Sequence, residues 1–214
     1  MARNLRNLGI IARRQGRIDD AFRQFRRSLA LSTGARDLEG ISQDLGNLGN
    51  VELAKKRYHR AMKMYFKSYK LSHQLGMRET MAIQLGNMGI AQRHLNRFSE
   101  ALRYFREALR INRQLGRTEG IMENVGNIGA VLGDLGRHTK GLREFDFAIA
   151  LARKMGEREG LAVNYEMKGE LLRTMGELNL ARAALRASLR NYRKLGHERK
   201  SRDIAIALRS IADR

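Results

Sequence analysis

Four asparagines, Asn7, Asn47, Asn87 and Asn127, stand forty residues apart in matching phrases. The phrases are Leu5-Arg6-Asn7-Leu8-Gly9, Leu45-Gly46-Asn47-Leu48-Gly49, Leu85-Gly86-Asn87-Met88-Gly89 and Val125-Gly126-Asn127-Ile128-Gly129. A side-chain amide both donates and accepts, so a column of amides can grip the peptide groups of an extended chain without reading its side chains. The same column can instead hydrogen-bond between adjacent helices and fix their register, and the sequence leaves both readings open. Arg13, Arg93 and Arg173 recur eighty residues apart. Guanidinium holds carboxylate bidentately, which predicts acidic side chains in a ligand, with solvated surface charge as the plainer reading. A second basic set repeats elsewhere: Arg17, Arg57, Arg97 and Arg137, then Arg23, Lys63, Arg103 and Arg143, with Arg106, Arg110 and Arg113 extending the stripe after Arg103. Such stripes either meet phosphates or form the wet side of a helix.

Catalytic signals are missing. His59, His73, His94, His138 and His197 share neither metal-ligand spacing nor a repeat position, and the chain holds no cysteine. The glycines follow a helical period and so form no phosphate-cradling loop. No catalytic residue, cofactor or metal is expected, and the chain is not expected to be an enzyme.

The elements that must carry these residues are helical hairpins. A fifth, weaker copy of the phrase is Tyr165-Glu166-Met167-Lys168-Gly169. Further along each unit come Ala21, Ala61, Ala101, Gly141 and Ala181, then Phe25, Tyr65, Phe105, Phe145 and Leu185, then Leu29, Tyr69, Leu109, Ile149 and Leu189. In the third unit Leu85, Met88, Ala91 and Leu95 recur at three- and four-residue steps, as do Ala101, Leu102, Phe105, Ala108 and Leu109, which puts apolar side chains on one face of each of two helices. His94-Leu95-Asn96-Arg97 is the turn between them, and Ser99 is placed to cap the second helix. Gly76, Gly116, Gly156 and Gly196 follow the second helices as left-handed stops. Gly49, Gly89 and Gly129 are read as close approaches between the helices of a hairpin, and Gly46, Gly86 and Gly126 as either groove floor or packing between repeats. Met62, Met64, Met81, Met88 and Met122 suit core or groove packing.

These units predict an all-α, right-handed α-solenoid of five hairpins, with repeats at about 1–37, 38–77, 78–117, 118–157 and 158–197 in a single domain 1–214. A capping helix is expected over 198–214, with Ile204, Leu208 and Ile211 on its inner face. Neighbouring helices pack roughly 8 to 10 Å apart while an extended chain advances about 3.3 Å per residue, so one asparagine meets about every third ligand residue. Four rungs then span roughly 30 Å, enough for about nine or ten residues.

Composition agrees with this plan. Forty-two Lys and Arg against twenty-two Asp and Glu give a net charge of +20, which favours anionic partners. Repeats one to three carry most of the excess, since residues 121–160 hold six basic and six acidic side chains. The apolar runs are only a few residues long, far short of the roughly 18 to 20 that cross a bilayer. The basic start Met1-Ala2-Arg3-Asn4-Leu5-Arg6 leads into no apolar stretch with a cleavage site, so a cytoplasmic protein is expected.

The spacing Asn47-Leu48-Gly49-Asn50, Ala61, Tyr65, Ser68, with its counterparts Asn87-Met88-Gly89, Ala101, Phe105, Ala108, resembles the tetratricopeptide repeat signature over nearly the whole chain. The forty-residue unit is similar to the longer-repeat subclass of the Pins/LGN scaffolds of animal G-protein signalling and of bacterial tetratricopeptide regulators. The resemblance implies a non-enzymatic scaffold that binds an extended, acidic peptide along a concave face built from the first helix of each repeat. On that pattern the face includes Arg3, Arg6, Arg13, Gln43, Asn50, Arg93, Glu123 and Arg173, beside the four asparagines. Repeat five departs at Met167 and Lys168, and Lys56 replaces the glycine or asparagine of the other hairpin turns. The alternative function is a nucleic-acid-binding helical repeat that uses the basic edge and convex face. Self-association through the repeat ends is compatible with the first reading.

Overall fold

The structure is a computed structural model and describes residues 1–212. Among the described residues the chain folds into eleven α-helices and no strand: α1 (Ala2–Arg14), α2 (Ile18–Gly34), α3 (Leu38–Ala54), α4 (Tyr58–Gln74), α5 (Arg78–His94), α6 (Phe98–Gln114), α7 (Thr118–Asp134), α8 (His138–Met155), α9 (Arg158–Thr174), α10 (Leu178–Lys194) and α11 (Glu198–Ala212). The all-α class expected from the periodicity is therefore present. Of the expected capping helix, 213–214 lie outside the described residues.

The helices end where the backbone turns left-handed. Positive φ recurs every twenty residues, at Gly16, Arg36, Lys56, Gly76, Asn96, Gly116, Gly136, Gly156, Gly176 and Gly196. Around Gly16 the amide of Arg17 donates to Ala12 O at 2.9 Å and that of Gly16 donates to Arg13 O at 3.0 Å. This paired closure satisfies carbonyls that a helix end would otherwise leave bare, and it repeats at Lys56, Asn96 and Gly136. The next helix starts at once, so Arg97 is already the N-cap of α6. Ser99 consequently lies inside the first turn and does not cap α6, contrary to the sequence expectation.

The chain divides into two compact units, Met1–Leu115 with α1 to α6 and a second beginning at Gly116 with α7 to α11. In the first, Ala12, Ala21, Phe25, Leu48 and Val51 form one core cluster, and Ala61, Tyr65, Ala82, Leu85, Met88, Ala108 and Ile111 form the next. Each cluster joins one hairpin to its successor, which buries the face a lone hairpin leaves bare. In the second unit Leu172, Ala181, Leu185 and Tyr192 are closed over by Ile204 and Ile211 of α11, with Leu208 packed against them.

The glycines explain how close the helices come. A Cβ on Gly9 would stand 2.6 Å from the ring of Phe25, and one on Gly89 would stand 2.7 Å from that of Phe105. Gly49 meets Tyr65 in the same way. The first glycine of the phrase is packing rather than groove floor at two positions: Gly46 lies under the amide of Gln84 and Gly126 under that of Asn164.

Candidate functional site

Three contacts orient α3, because successive residues turn about 100° around a helix. Asp44 faces α1, where it takes the Arg6 Nε at 2.7 Å. Gly46 faces α5 through Gln84, and Gly49 faces α4 through Tyr65. Gln43 and Asn47, one turn apart, occupy the side that these contacts leave open, and both are half-buried. In α5 the half-buried Asn87 follows the exposed Ile83 by one turn, and in α1 Asn7 is exposed. In the second unit Gly126 faces α9 and Gly129 faces α8, so the half-buried Asn127 and the exposed Glu123 take the corresponding open side of α7. Among the described residues none of these four asparagine amides has a hydrogen-bond partner.

The remaining expected residues are placed differently from one another. Asn50 accepts a hydrogen bond from the Tyr65 hydroxyl at 2.9 Å, within its own hairpin. Burial holds the Tyr65 phenol well above its ordinary pKa, against the lowering pull of Arg13, so it stays a donor. Gln43 accepts from Arg6 Nη1 at 2.7 Å and donates to Glu39 at 3.1 Å. Arg13 is half-buried and its Nε has no hydrogen-bond acceptor. Arg93 is half-buried and engaged, whereas Arg173 is exposed and holds Glu170 at 2.7 Å. Arg3 is exposed. Met167 is half-buried, and the half-buried Lys168 is paired with Asp146.

Arg6 is a structural cation, not a groove residue. Besides Asp44 it reaches the carbonyl of Gly40 at 3.2 Å, and Ser28 and Ser32 donate to Asp44 Oδ2 at 2.9 and 3.1 Å. A second buried polar knot joins Ser42 of α3 to Ser68 and Ser72 of α4. These serines replace alanine-sized residues at core positions, and only the repeat of small residues along α2 and α4 hinted at them.

Glu123 lies one turn after Glu119 on the open side of α7. Crowding of protein around its carboxyl raises its pKa, and Glu119, Glu157 and Glu159 raise it further against the pull of Arg117. Glu39, Glu79, Glu119 and Glu159 all sit in the first turn of a first helix, where a negative charge is favoured by the helix dipole. The first turns of the first helices therefore carry carboxylates, while Arg13, Arg93 and Arg173 lie near the helix ends at the register that, at Gly133 of α7, faces the next first helix through Leu171. Among the described residues no group of His, Asp and Glu is arranged to hold a metal ion, and no helix is long and apolar enough to cross a membrane.

The tetratricopeptide repeat model matches residues 1–74, 45–114 and 120–194. The chain belongs to the tetratricopeptide repeat family. Solved structures share its fold. A Rap protein complexed with competence and sporulation factor is 15% identical, with a TM-score of 0.73 over 99% of this chain and 63% of that one. Aspartyl phosphate phosphatase F from Bacillus subtilis is 13% identical, with a TM-score of 0.72 over 99% of this chain and 59% of that one. This tetratricopeptide chain thus spans about three fifths of the length of those two proteins. A thermophilic TPR protein of Thermus thermophilus is 20% identical, with a TM-score of 0.72 over 99% of both chains. No curated protein gives a sequence match.

Proposed function

We propose that this tetratricopeptide protein is a protein–protein interaction scaffold whose open first-helix side captures an extended segment of another protein. The observation that carries this reading is the state of the asparagines. Asn47, Asn87 and Asn127 are held half-buried at one register, yet their amides are unspent on neighbouring helices. A register lock would use those hydrogen bonds internally, and the chain already locks register elsewhere, through Arg6 with Asp44 and through Gln84 over Gly46. Asn7 adds an exposed rung in the first unit, and Gln43 and Asn50 are polar neighbours already tied in place.

Charge sets the orientation of the ligand in this reading. Arg13 is half-buried with an Nε that has no acceptor, and in this reading its outer guanidinium nitrogens meet an incoming carboxylate. Acidic ligand side chains go to the arginine end of the first helices, and the glutamate end repels them. One solved fold relative is complexed with competence and sporulation factor, which fits capture of a partner by this fold.

Selection from a display library of random ten-residue segments tests the proposal. Enriched segments should be rich in Asp and Glu, and Arg13→Gln should erase that enrichment without erasing capture. Failure to enrich any segment overturns the scaffold reading, and enrichment of Lys and Arg overturns the acidic preference.

A further inference from the structure

The second helices of the first unit present a surface of another kind. α4 carries Arg60, Lys63, Lys67 and Lys70, all exposed, and no carboxylate. Their three- and four-residue steps place a cation about every 4.5 to 6 Å along the helix. Like charges at that spacing destabilise a helix, so the arrangement works against folding unless something anionic lies over it. Residues 1–115 hold a net +14 and residues 116–214 a net +6, counted from the sequence.

α4 and α6 both pack against α5, and Ala61 and Tyr65 of the one share a core cluster with Ala108 and Ile111 of the other through Ala82, Leu85 and Met88. α6 adds the exposed Arg103, Arg106, Arg110 and Arg113. A cavity of about 570 Å³ opens along α6, with Leu85 of α5 and Ser99, Arg103, Arg106, Glu107 and Arg110 of α6 on its wall. Glu107 is occupied by Arg110, whose Nε donates to it at 3.1 Å. The Arg103 guanidinium lies over the ring of Tyr104, 5.5 Å from its centre. The exposed Phe66 rises from among the lysines of α4.

We propose that this α4–α6 face binds the phosphodiester backbone of nucleic acid without regard to base sequence. A regular row of cations matches a polymer of evenly spaced phosphates, and the lysines of α4 act on phosphate as point charges. A membrane surface fits less well, because Phe66 is the exposed large apolar side chain on α4 and an interfacial helix needs a broad apolar face. Bidentate carboxylate recognition would use the arginine forks of α6, whereas the lysine row of α4 offers point charges that suit evenly spaced phosphates, so an acidic polypeptide is the competitor the test includes. The face lies on second helices, apart from the asparagines of the first helices, so the two activities are separable.

Anisotropy of a labelled 20-base-pair duplex, titrated with the full chain between 50 and 200 mM NaCl, tests this. With six or seven phosphates engaged, log K should fall against log salt with a slope of about −6, a loss of roughly 10³ or more over that range. Two unrelated duplex sequences should bind alike. The triple variant Lys63→Gln, Lys67→Gln, Lys70→Gln should keep its helical circular dichroism and shallow the slope by about 2.7. Asn47→Ala with Asn87→Ala should leave duplex binding unchanged, which separates a failure here from a failure of the groove. No binding at 50 mM salt, an unaltered slope in the triple variant, or tighter binding of poly-glutamate or phosphatidylserine vesicles than of duplex would overturn the proposal.

Discussion

Lys56 shows how a single residue can be held against its preference. Its φ is 58°, the left-handed value that Gly16, Gly136 and Gly176 adopt without a Cβ in the way. An L-residue with a side chain pays about 1 kcal/mol or more for that conformation. Lys56→Gly should therefore raise stability by about 1 kcal/mol in urea melts, and a loss would show that the lysine side chain contributes a contact that outweighs the strain. Glu123 makes the second residue-scale case. Its folded pKa is raised, so between the ordinary carboxylate value and the raised one the folded state binds more proton than the unfolded state does. Stability therefore falls as pH rises from the ordinary carboxylate value through the raised one. Glu123→Gln should increase the melting temperature at pH 7 and lose that advantage near pH 4. An equal effect at both values would contradict the assigned crowding. Neither residue's state could be read from the chain. Lys56 marked itself as a departure from the turn pattern, but Arg36 carried no such mark, and the carboxylates around Glu123 come together only through the packing of α9 on α7.

At the level of elements, the helices and their partners inside each hairpin were legible. Apolar residues at three- and four-residue steps gave the inner faces, and the glycine opposite each aromatic gave the close approach. Pairing between successive hairpins was not legible, because it depends on which side chains meet across a gap of forty residues. The family pattern puts Arg6 on the concave face, whereas its burial beside Asp44 follows from Ser28, Ser32 and Gly40 converging on the same carboxylate and guanidinium. Asp44→Ala strands a buried guanidinium and should cost about 3 to 5 kcal/mol. Adding Arg6→Met should restore more than half of that loss, because the uncompensated charge goes with it. Chemical denaturation of the two variants checks both values. A single variant costing under about 1 kcal/mol would mean that Arg6 swings to water and that the α1–α3 contact is looser than described.

Over the whole molecule, the period of forty residues was the decisive signal. It survives because the unit is repeated without insertion, and each unit must bury the same faces against the next one. The all-α class and the tetratricopeptide family both follow from it. The division of the chain at Leu115 was not foreseen, since no linker composition marks that point. The half-buried asparagines of the first helices were legible as a forty-residue repeat. The carboxylates in the first turns of the first helices were overlooked, although Glu39, Glu79, Glu119 and Glu159 repeat with the same period. The first turns of the first helices thus repeat a negative charge, and the second helix α4 of the first unit is basic.

The most direct test of the scaffold reading is the affinity of the Asn7→Ala, Asn47→Ala, Asn87→Ala variant, all three in the first unit, for a segment selected on the native chain, measured by calorimetry. Each amide bond to a ligand peptide group is worth about 1 kcal/mol, so the triple variant should bind at least about a hundredfold more weakly with its helical circular dichroism intact. An affinity within twofold of the native chain, with the fold intact, would contradict the claim that these amides hold the ligand.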